Sequence, residues 1–207
     1  MTENITVNTH SSIRIAAEKI LYIDPFRVEN EPHDGDIVFI THSHFDHFSP
    51  EDIEKIARPG TVFVMPESMK QDAADAGLEN IVTMKPGEKT VIEGIAVEAV
   101  PSYNTDKPMH PKKNGWLGYI ITACGTRIYI GGDMDATSEA AEVQCGIAML
   151  PIGGTYTMNP EEAAALVNKM KPEIVIPTHY GTLAGDPGDG QKFASLVDDG
   201  IRVEFKL

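Results

Sequence analysis

The sequence predicts an α/β fold in which a strand-rich half precedes a half of strands and helices that could mirror it. Short apolar, β-branched runs recur along the 207 residues, and stretches with helix caps separate several of them. Histidine and aspartate follow several of these runs directly. Because these residues lie at strand ends, they favour one shared site over polar side chains spread across the surface.

Length and charge limit the classes of function. A chain of 207 residues and 22.5 kDa can bury a full core, so we expect one domain spanning residues 1–207. The formal charge of −14 and the pI near 4.8 repel phosphate backbones. Nucleic acid is therefore disfavoured as a partner, and a small-molecule substrate is expected.

The N-terminal residues have neither a basic start nor the apolar core of a signal peptide, and no apolar run reaches about 18 residues. We therefore expect a cytoplasmic protein without a membrane partner. Cys124 and Cys145 form no CxxC pair, and we expect both to be buried thiols without a catalytic role. The sequence leaves a homo-oligomer open.

Periodicity and capping residues define the expected elements. Strands are predicted at 5–15, 20–23, 36–41, 61–65, 81–82, 89–92, 95–100, 116–122, 126–130, 147–151, 174–178 and 201–205. Helices are predicted at 50–57, at 68–76, from residue 160 and at 191–197. Ser49 and Asn159 each precede a proline, which is typical of an N-cap followed by the first helical residue.

Segment 42–47 reads His-Ser-His-Phe-Asp-His and lies between a predicted buried strand and a predicted helix start. His42, His44, Asp46 and His47 offer neutral imidazole nitrogens and a carboxylate, which are ligands for zinc, manganese or iron. Three of the protein's seven histidines lie in these six residues. A solvated polar turn is the alternative, but the segment predicts a metal site.

This segment resembles the His-x-His-x-Asp-His signature of the metallo-β-lactamase-fold superfamily. The early residues, with His10 before one strand and Asp24-Pro25 after the next, are similar to the ascorbate-6-phosphate lactonase branch. The resemblance implies an αβ/βα sandwich of two mixed β-sheets flanked by helices, with one or two metals between the sheet edges. It also implies that His10 and Asp24 support the ligands. The alternatives are a paired strand residue and a turn cap.

Two later residues follow apolar strands. Asp133 comes after strand 126–130 through two glycines, which permit a tight turn, and His179 directly follows strand 174–178. They match the superfamily's bridging aspartate and its late-strand histidine. An N-cap aspartate and a core histidine are the alternatives.

The third ligand of the first metal ion departs from the pattern of the lactonase-like branch. That branch has a histidine there, in a Pro-Ala-x-His stretch. Here residues 101–104 read Pro-Ser-Tyr-Asn, so Asn104 takes that slot. His110 lies six residues later in the same long polar loop. We predict His110 as the ligand, with the Asn104 carbonyl or a water as the alternative.

The resulting hypothesis is a dinuclear centre. The predicted ligands are His42, His44 and His110 for one ion and Asp46, His47 and His179 for the other, with Asp133 bridging. Zinc is the expected metal, and manganese or iron would also fit. Two such ions can hold a bridging hydroxide, which Asp46 would orient, so Asp46 and Asp133 are the predicted catalytic residues.

These residues predict a metal-dependent hydrolase that cleaves a lactone, ester or phosphoester bond in a small anionic substrate. Candidates for holding the anion are Lys107, Lys112, Lys113, Tyr156 and Tyr180. One alternative is a non-catalytic metal-binding or regulatory protein, which only the Asn104 substitution favours. Another is a metal-dependent phosphodiesterase or nuclease, which the acidic charge disfavours.

Overall fold

The computed structural model describes residues 2–207, which form two β-sheets. The first sheet contains, in spatial order, β1 (Ile5–Thr9), β2 (Ser12–Ala16), β3 (Ile20–Ile23), β4 (Gly35–Phe39), β5 (Ala57–Pro66) and β6 (Ile81–Met84). The second contains β7 (Lys89–Ile92), β8 (Ile95–Pro101), β9 (Leu117–Ala123), β10 (Thr126–Ile130), β11 (Ile147–Pro151), β12 (Ile174–Thr178) and β13 (Arg202–Val203).

The two sheets repeat one pairing pattern. Strands β1 to β3 pair antiparallel and β3 to β6 pair parallel. In the second sheet, β7 to β10 pair antiparallel and β10 to β13 pair parallel. The halves therefore mirror one another, as the sequence suggested.

Helices cover the outer face of each sheet. They are α1 (Pro50–Ile56), α2 (Lys70–Asp75), α3 (Ser138–Ala141), α4 (Pro160–Met170) and α5 (Asp189–Ala194). Ile53 of α1 is buried in one cluster with Val38 of the first sheet, and Val167 of α4 in another with Leu150 of the second. A third cluster joins residues of both sheets between their inner faces. This layering confirms the predicted sandwich.

Local capping accounts for the helix starts that were predicted. The Ser49 side chain accepts a hydrogen bond from the Asp52 N–H at the start of α1. At α4, Asn159 and Glu162 form a reciprocal capping box, and Pro160 supplies the first helical residue. Both N-caps are confirmed, because capping depends on a few neighbouring residues and is visible in the sequence.

The sheets also place the site. The C-terminal ends of β1, β3 and β4 lie at one edge of the first sheet, and those of β8, β10, β11 and β12 lie at one edge of the second. Main-chain hydrogen bonds join the two edges: Leu117 N–H donates to Thr41 O (3.1 Å), and His179 N–H donates to His10 O (2.9 Å). Loops distant in sequence therefore meet between the sheets.

Some boundaries differ from the prediction. Stretch 5–15 is two strands, because the chain turns at His10, whose φ is +55°. The expected final strand shrinks to β13, and the last helix ends at Ala194. Cys124 is exposed in the β9–β10 turn, so its predicted burial was wrong. Between residues 2 and 207, none of the helices has the length and apolar character needed to cross a bilayer.

Candidate metal centre

Segment 42–47 leaves the end of β4 and closes into a tight turn. The N–H groups of His47 and Phe48 both donate to the carbonyl of His44, at 2.9 and 2.8 Å. The turn brings His42 and His47 together, with ring centroids 4.0 Å apart, and both are buried. Strict alternation along a straight strand would have placed His42 and His47 on opposite faces.

Asp24 lies directly behind this turn. It follows β3, is fully buried, and its Oδ2 lies 2.7 Å from His47 Nδ1. The same carboxylate accepts hydrogen bonds from the hydroxyl (2.6 Å) and the main-chain N–H (2.8 Å) of Thr41. A carboxylate on Nδ1 fixes the imidazole orientation and leaves Nε2 free on the other side of the ring. These contacts are those expected of a residue that supports a metal ligand, which is the role that the resemblance implied for Asp24.

Three histidines form the first cluster. His42 Nε2 lies 3.1 Å from His44 Nδ1, and the His110 ring centroid is 5.0 Å from that of His42. One ring nitrogen from each lies within 4.8 Å of the others. Trp116 packs against the rings, with its centroid 5.0 Å from those of His42 and His44.

His110 reaches this cluster because Asn104 holds it there. The side-chain oxygen of Asn104 lies 2.8 Å from His110 Nδ1 and 3.1 Å from its main-chain nitrogen. Asn104 in turn donates from Nδ2 to the carbonyl of Tyr156 at 3.0 Å. The structure thus brings His110, and not the Asn104 amide, to the other two histidines.

A second cluster contains His10, Asp46, His47 and His179. His10 Nε2 lies 3.2 Å from Asp46 Oδ2, and His179 Nε2 lies 3.8 Å from the same oxygen. The sequence prediction did not include His10 among the ligands. The available signal was its place directly after the alternating strand β1, whose end shares an edge with β3 and β4.

Asp133 lies between the two clusters. Its Oδ2 is 3.0 Å from His179 Nε2 and 3.3 Å from His110 Nε2, and its Oδ1 is 3.3 Å from His47 Nε2. The preceding Gly132 has φ +65°, and a Cβ there would lie only 3.0 Å from the Cβ of Thr41. Glycine therefore permits the close approach that delivers this carboxylate.

Several buried polar atoms around this point make no hydrogen bond of normal geometry, although four of the histidine nitrogens lie 3.0–3.3 Å from a carboxylate oxygen of Asp46 or Asp133. They are His10 Nε2, His47 Nε2, His110 Nε2, Asp133 Oδ1, His179 Nδ1 and His179 Nε2. Buried nitrogen and oxygen atoms are nearly always paired, so such a concentration indicates a missing ligand. Imidazole and carboxylate together suit zinc, manganese or iron, and the residues present fit a metal centre.

Charge in the site supports the same conclusion. Burial holds the pKa of His42 well below 6.5, so its ring is neutral, as coordination requires. Burial would also lower the pKa of His47, but Asp133 and Asp24 raise it well above 6.5. Burial would raise the pKa of Asp133, but His179 and His47 hold it well below 3.8. These carboxylates stabilise nearby positive charge, which a divalent cation would supply.

The structure brings one of the five predicted anion-holding side chains, Tyr156, to the site and leaves the other four outside its cavity. Lys107 Nζ lies 2.5 Å from Asp135 Oδ1, and Lys112 Nζ lies 2.8 Å from Glu139 Oε1. Tyr180 is buried in the core outside the second sheet. Of the predicted set, Tyr156 lines the cavity that opens over the clusters.

Three comparisons with known proteins give relatives that agree with one another. A family model described as "Beta-lactamase superfamily domain" matches residues 4–179. A "UPF0173 metal-dependent hydrolase" of Thermococcus onnurineus is 30% identical, with 94% of this chain and 92% of the relative covered. One of Thermococcus kodakarensis is 31% identical over the same shares. The crystal structure of a candidate metal-dependent hydrolase from Parabacteroides distasonis is 29% identical, has a TM-score of 0.83, and covers 98% of this chain and 92% of its own.

Proposed function

Because this chain belongs to the metallo-β-lactamase superfamily and is one of its metal-dependent hydrolases, we propose that it binds two divalent ions and hydrolyses a lactone, ester or phosphoester bond. The proposed class of bond is inferred from the resemblance of the early strands to those of the lactonase-like branch. Zinc is the proposed ion, and manganese and iron are the alternatives, since imidazole and carboxylate ligands suit all three.

One observation carries the proposal: Asp133 contacts histidines of both clusters with its two carboxylate oxygens. A carboxylate in that position can bind two ions at once. The proposed ligands are His42, His44 and His110 for one ion, Asp46, His47 and His179 for the other, and Asp133 for both. His10, 3.2 Å from Asp46, would hold that carboxylate in place.

Divalent ions held by these residues would lower the pKa of water and polarise the bond under attack. Asp46 lines the cavity, so one of its oxygens can accept a proton from the entering water and orient that water toward the substrate. In ester or lactone cleavage, water adds to the carbonyl carbon, the C–O bond breaks, and the leaving oxygen takes up a proton. Asp133, His47 and His179 fix the geometry in which this occurs.

The two alternatives have less support. Only the missing histidine at residue 104 favours a non-catalytic metal-binding protein, and against it His110 clusters with His42 and His44 while Asn104 is hydrogen-bonded to the His110 ring. A nuclease would need a basic surface, whereas the formal charge is −14. Hydrolysis of a small substrate is therefore the function that the site supports best.

The test combines metal analysis with turnover. We expect purified wild-type protein to carry about two ions per chain and to cleave members of a panel of small lactones, esters and phosphodiesters. Asp133→Asn should lose turnover by at least about a thousandfold while keeping its circular dichroism spectrum. Asp199→Asn is the matched control, because Asp199 is exposed and lies outside both clusters and the cavity. Two bound ions with no turnover across the panel would support the non-catalytic alternative.

A further inference from the structure

A cavity of about 280 Å³ opens directly over the two clusters. Its floor is formed by site residues, including Asp46, His110, Asp133 and His179. Its walls and mouth are formed by Phe45, Met109, Tyr156, Leu183 and Ala184. The wall residues are apolar or aromatic, and a substrate must pass them to reach the floor.

Large apolar side chains are unusually exposed at this mouth. Among residues 2–207, eight large hydrophobic side chains are exposed, and four of them line this one cavity. Phe45 is 69% exposed and Leu183 is 39% exposed. Single exposed apolar residues are ordinary, but a group of them around one cleft indicates a ligand surface.

The four side chains come from four different loops, and three of them adjoin or contact residues of the proposed site. Phe45 lies between two proposed ligands and packs edge-on against Phe26, with centroids 5.9 Å apart. Met109 directly precedes His110. The Tyr156 carbonyl accepts the hydrogen bond from Asn104. The loops that carry Phe45, Met109 and Tyr156 are therefore loops that also carry or contact residues of the proposed site.

The cavity contains no lysine or arginine among its lining residues, all of which the structure describes. Lys107 forms its ion pair with Asp135, and Lys112 pairs with Glu139 and lies over the Tyr103 ring. The fixed charges in the cavity are the carboxylates of Asp46 and Asp133. An anionic group on the substrate, away from the metals, would find no cation and would leave water without compensation.

We infer that the substrate is an uncharged ester or lactone that carries an apolar group, and that this group binds against Phe45, Met109, Tyr156 and Leu183. This inference rests on the proposed hydrolytic function and narrows its substrate. It replaces the anionic substrate expected from the lysines, because none of those side chains lines the cavity. Affinity for the apolar group comes from removing its surface from water.

The first experiment measures kcat/KM of the metal-loaded protein on p-nitrophenyl acetate, butyrate, hexanoate and octanoate, and on γ-butyrolactone and γ-nonalactone. We expect about a two- to fourfold rise for each methylene that the mouth buries. Succinate monoesters and glycerol-3-phosphate esters of matched size should react at least about tenfold more slowly. A flat chain-length series, or a preference for the charged analogues, would overturn the inference.

Variants locate the effect. Leu183→Ser should flatten the chain-length series, because it removes one wall of the mouth. Leu196→Ser is the matched control: Leu196 is 42% exposed but does not line the cavity, and its series should match the wild type. Flattening in both variants, or in neither, would contradict the assignment of the mouth.

A binding measurement separates this inference from the proposed function. Calorimetric titration with acetohydroxamate and octanohydroxamate, which chelate metal without being turned over, should show at least about tenfold tighter binding of the longer compound. If no ester, lactone or phosphoester is hydrolysed but the longer hydroxamate binds tighter, the proposed function fails and the apolar mouth stands. Equal affinity for the two hydroxamates overturns the mouth, whatever the turnover.

Discussion

Asn104 accepts two hydrogen bonds from one residue, His110: the main-chain N–H at 3.1 Å and the Nδ1 side of the ring at 2.8 Å. Together the two hydrogen bonds determine which edge of the His110 ring points into the site. Nε2 is thereby directed at Asp133, 3.3 Å away. The residue that replaces the expected histidine therefore acts as the support for a different histidine.

Removing this support should weaken the first metal site. Asn104→Ala leaves His110 without its acceptor, so we expect a loss of about 10- to 100-fold in affinity for one of the two ions. Competition with a fluorescent chelator measures that affinity, and circular dichroism checks the fold. Asn30→Ala, at an exposed asparagine, controls for loss of an amide. Unchanged affinities in Asn104→Ala would show that His110 needs no support.

Substituting the proposed ligands should lower metal content. His42→Ala and His179→Ala each remove an imidazole from a different cluster, so we expect each variant to hold about one ion fewer than the wild type. Mass spectrometry of desalted protein gives the stoichiometry. His33→Ala is the control, because His33 is exposed and outside both clusters. Wild-type stoichiometry in both site variants would contradict the ligand assignment.

Asp24 should matter to stability as well as to metal binding. Asp24→Ala leaves the buried Thr41 and His47 groups without their acceptor, so we expect a loss of about 3–5 kcal/mol in the free energy of unfolding. Asp24→Asn keeps the shape and part of the acceptor capacity and should lose less. Urea unfolding of the metal-free proteins provides the comparison. Equal losses in the two variants would mean that neither the shape nor the remaining amide acceptor matters, and that the negative charge of Asp24 is responsible.

Asp52 predicts a dependence of stability on pH. Burial would raise its pKa, but the Lys55 ammonium, the Ser49 hydroxyl and the N–H groups of Arg27 and Val28 together hold it below 3.8. A carboxyl whose pKa is lower in the folded state stabilises the fold fully above its unfolded pKa. That contribution is lost as pH falls from about 3.8 through the lowered folded value.

The variant Asp52→Asn isolates this effect. We expect it to lose about 1–2 kcal/mol of stability at pH 7 and to differ less from the wild type at pH 3. Urea unfolding of metal-free protein at the two pH values measures both differences, so metal release does not interfere. Glu51→Gln, at an exposed acid in the same first turn of α1, controls for charge at the helix start. A difference that is constant between pH 7 and pH 3 would refute the linkage.

The sequence alone determined the local elements and the chemistry. Strands 147–151 and 174–178 and the two capped helix starts were predicted at their observed residues, because periodicity and capping depend only on near neighbours. The concentration of histidine and aspartate in segment 42–47 likewise indicated a metal site without coordinates. These signals depend only on residues that are close together in the sequence, so they can be recognised without a structure.

The tertiary structure decided which loops meet. His10 and His110 reach the site only because the carboxyl-terminal edges of the two sheets face one another, and no local pattern specifies that meeting. The contact of Asn104 with Tyr156, the diversion of Lys107 to Asp135 and the apolar mouth all depend on contacts between residues far apart in the chain. Such contacts arise from packing the two sheets on one shared core.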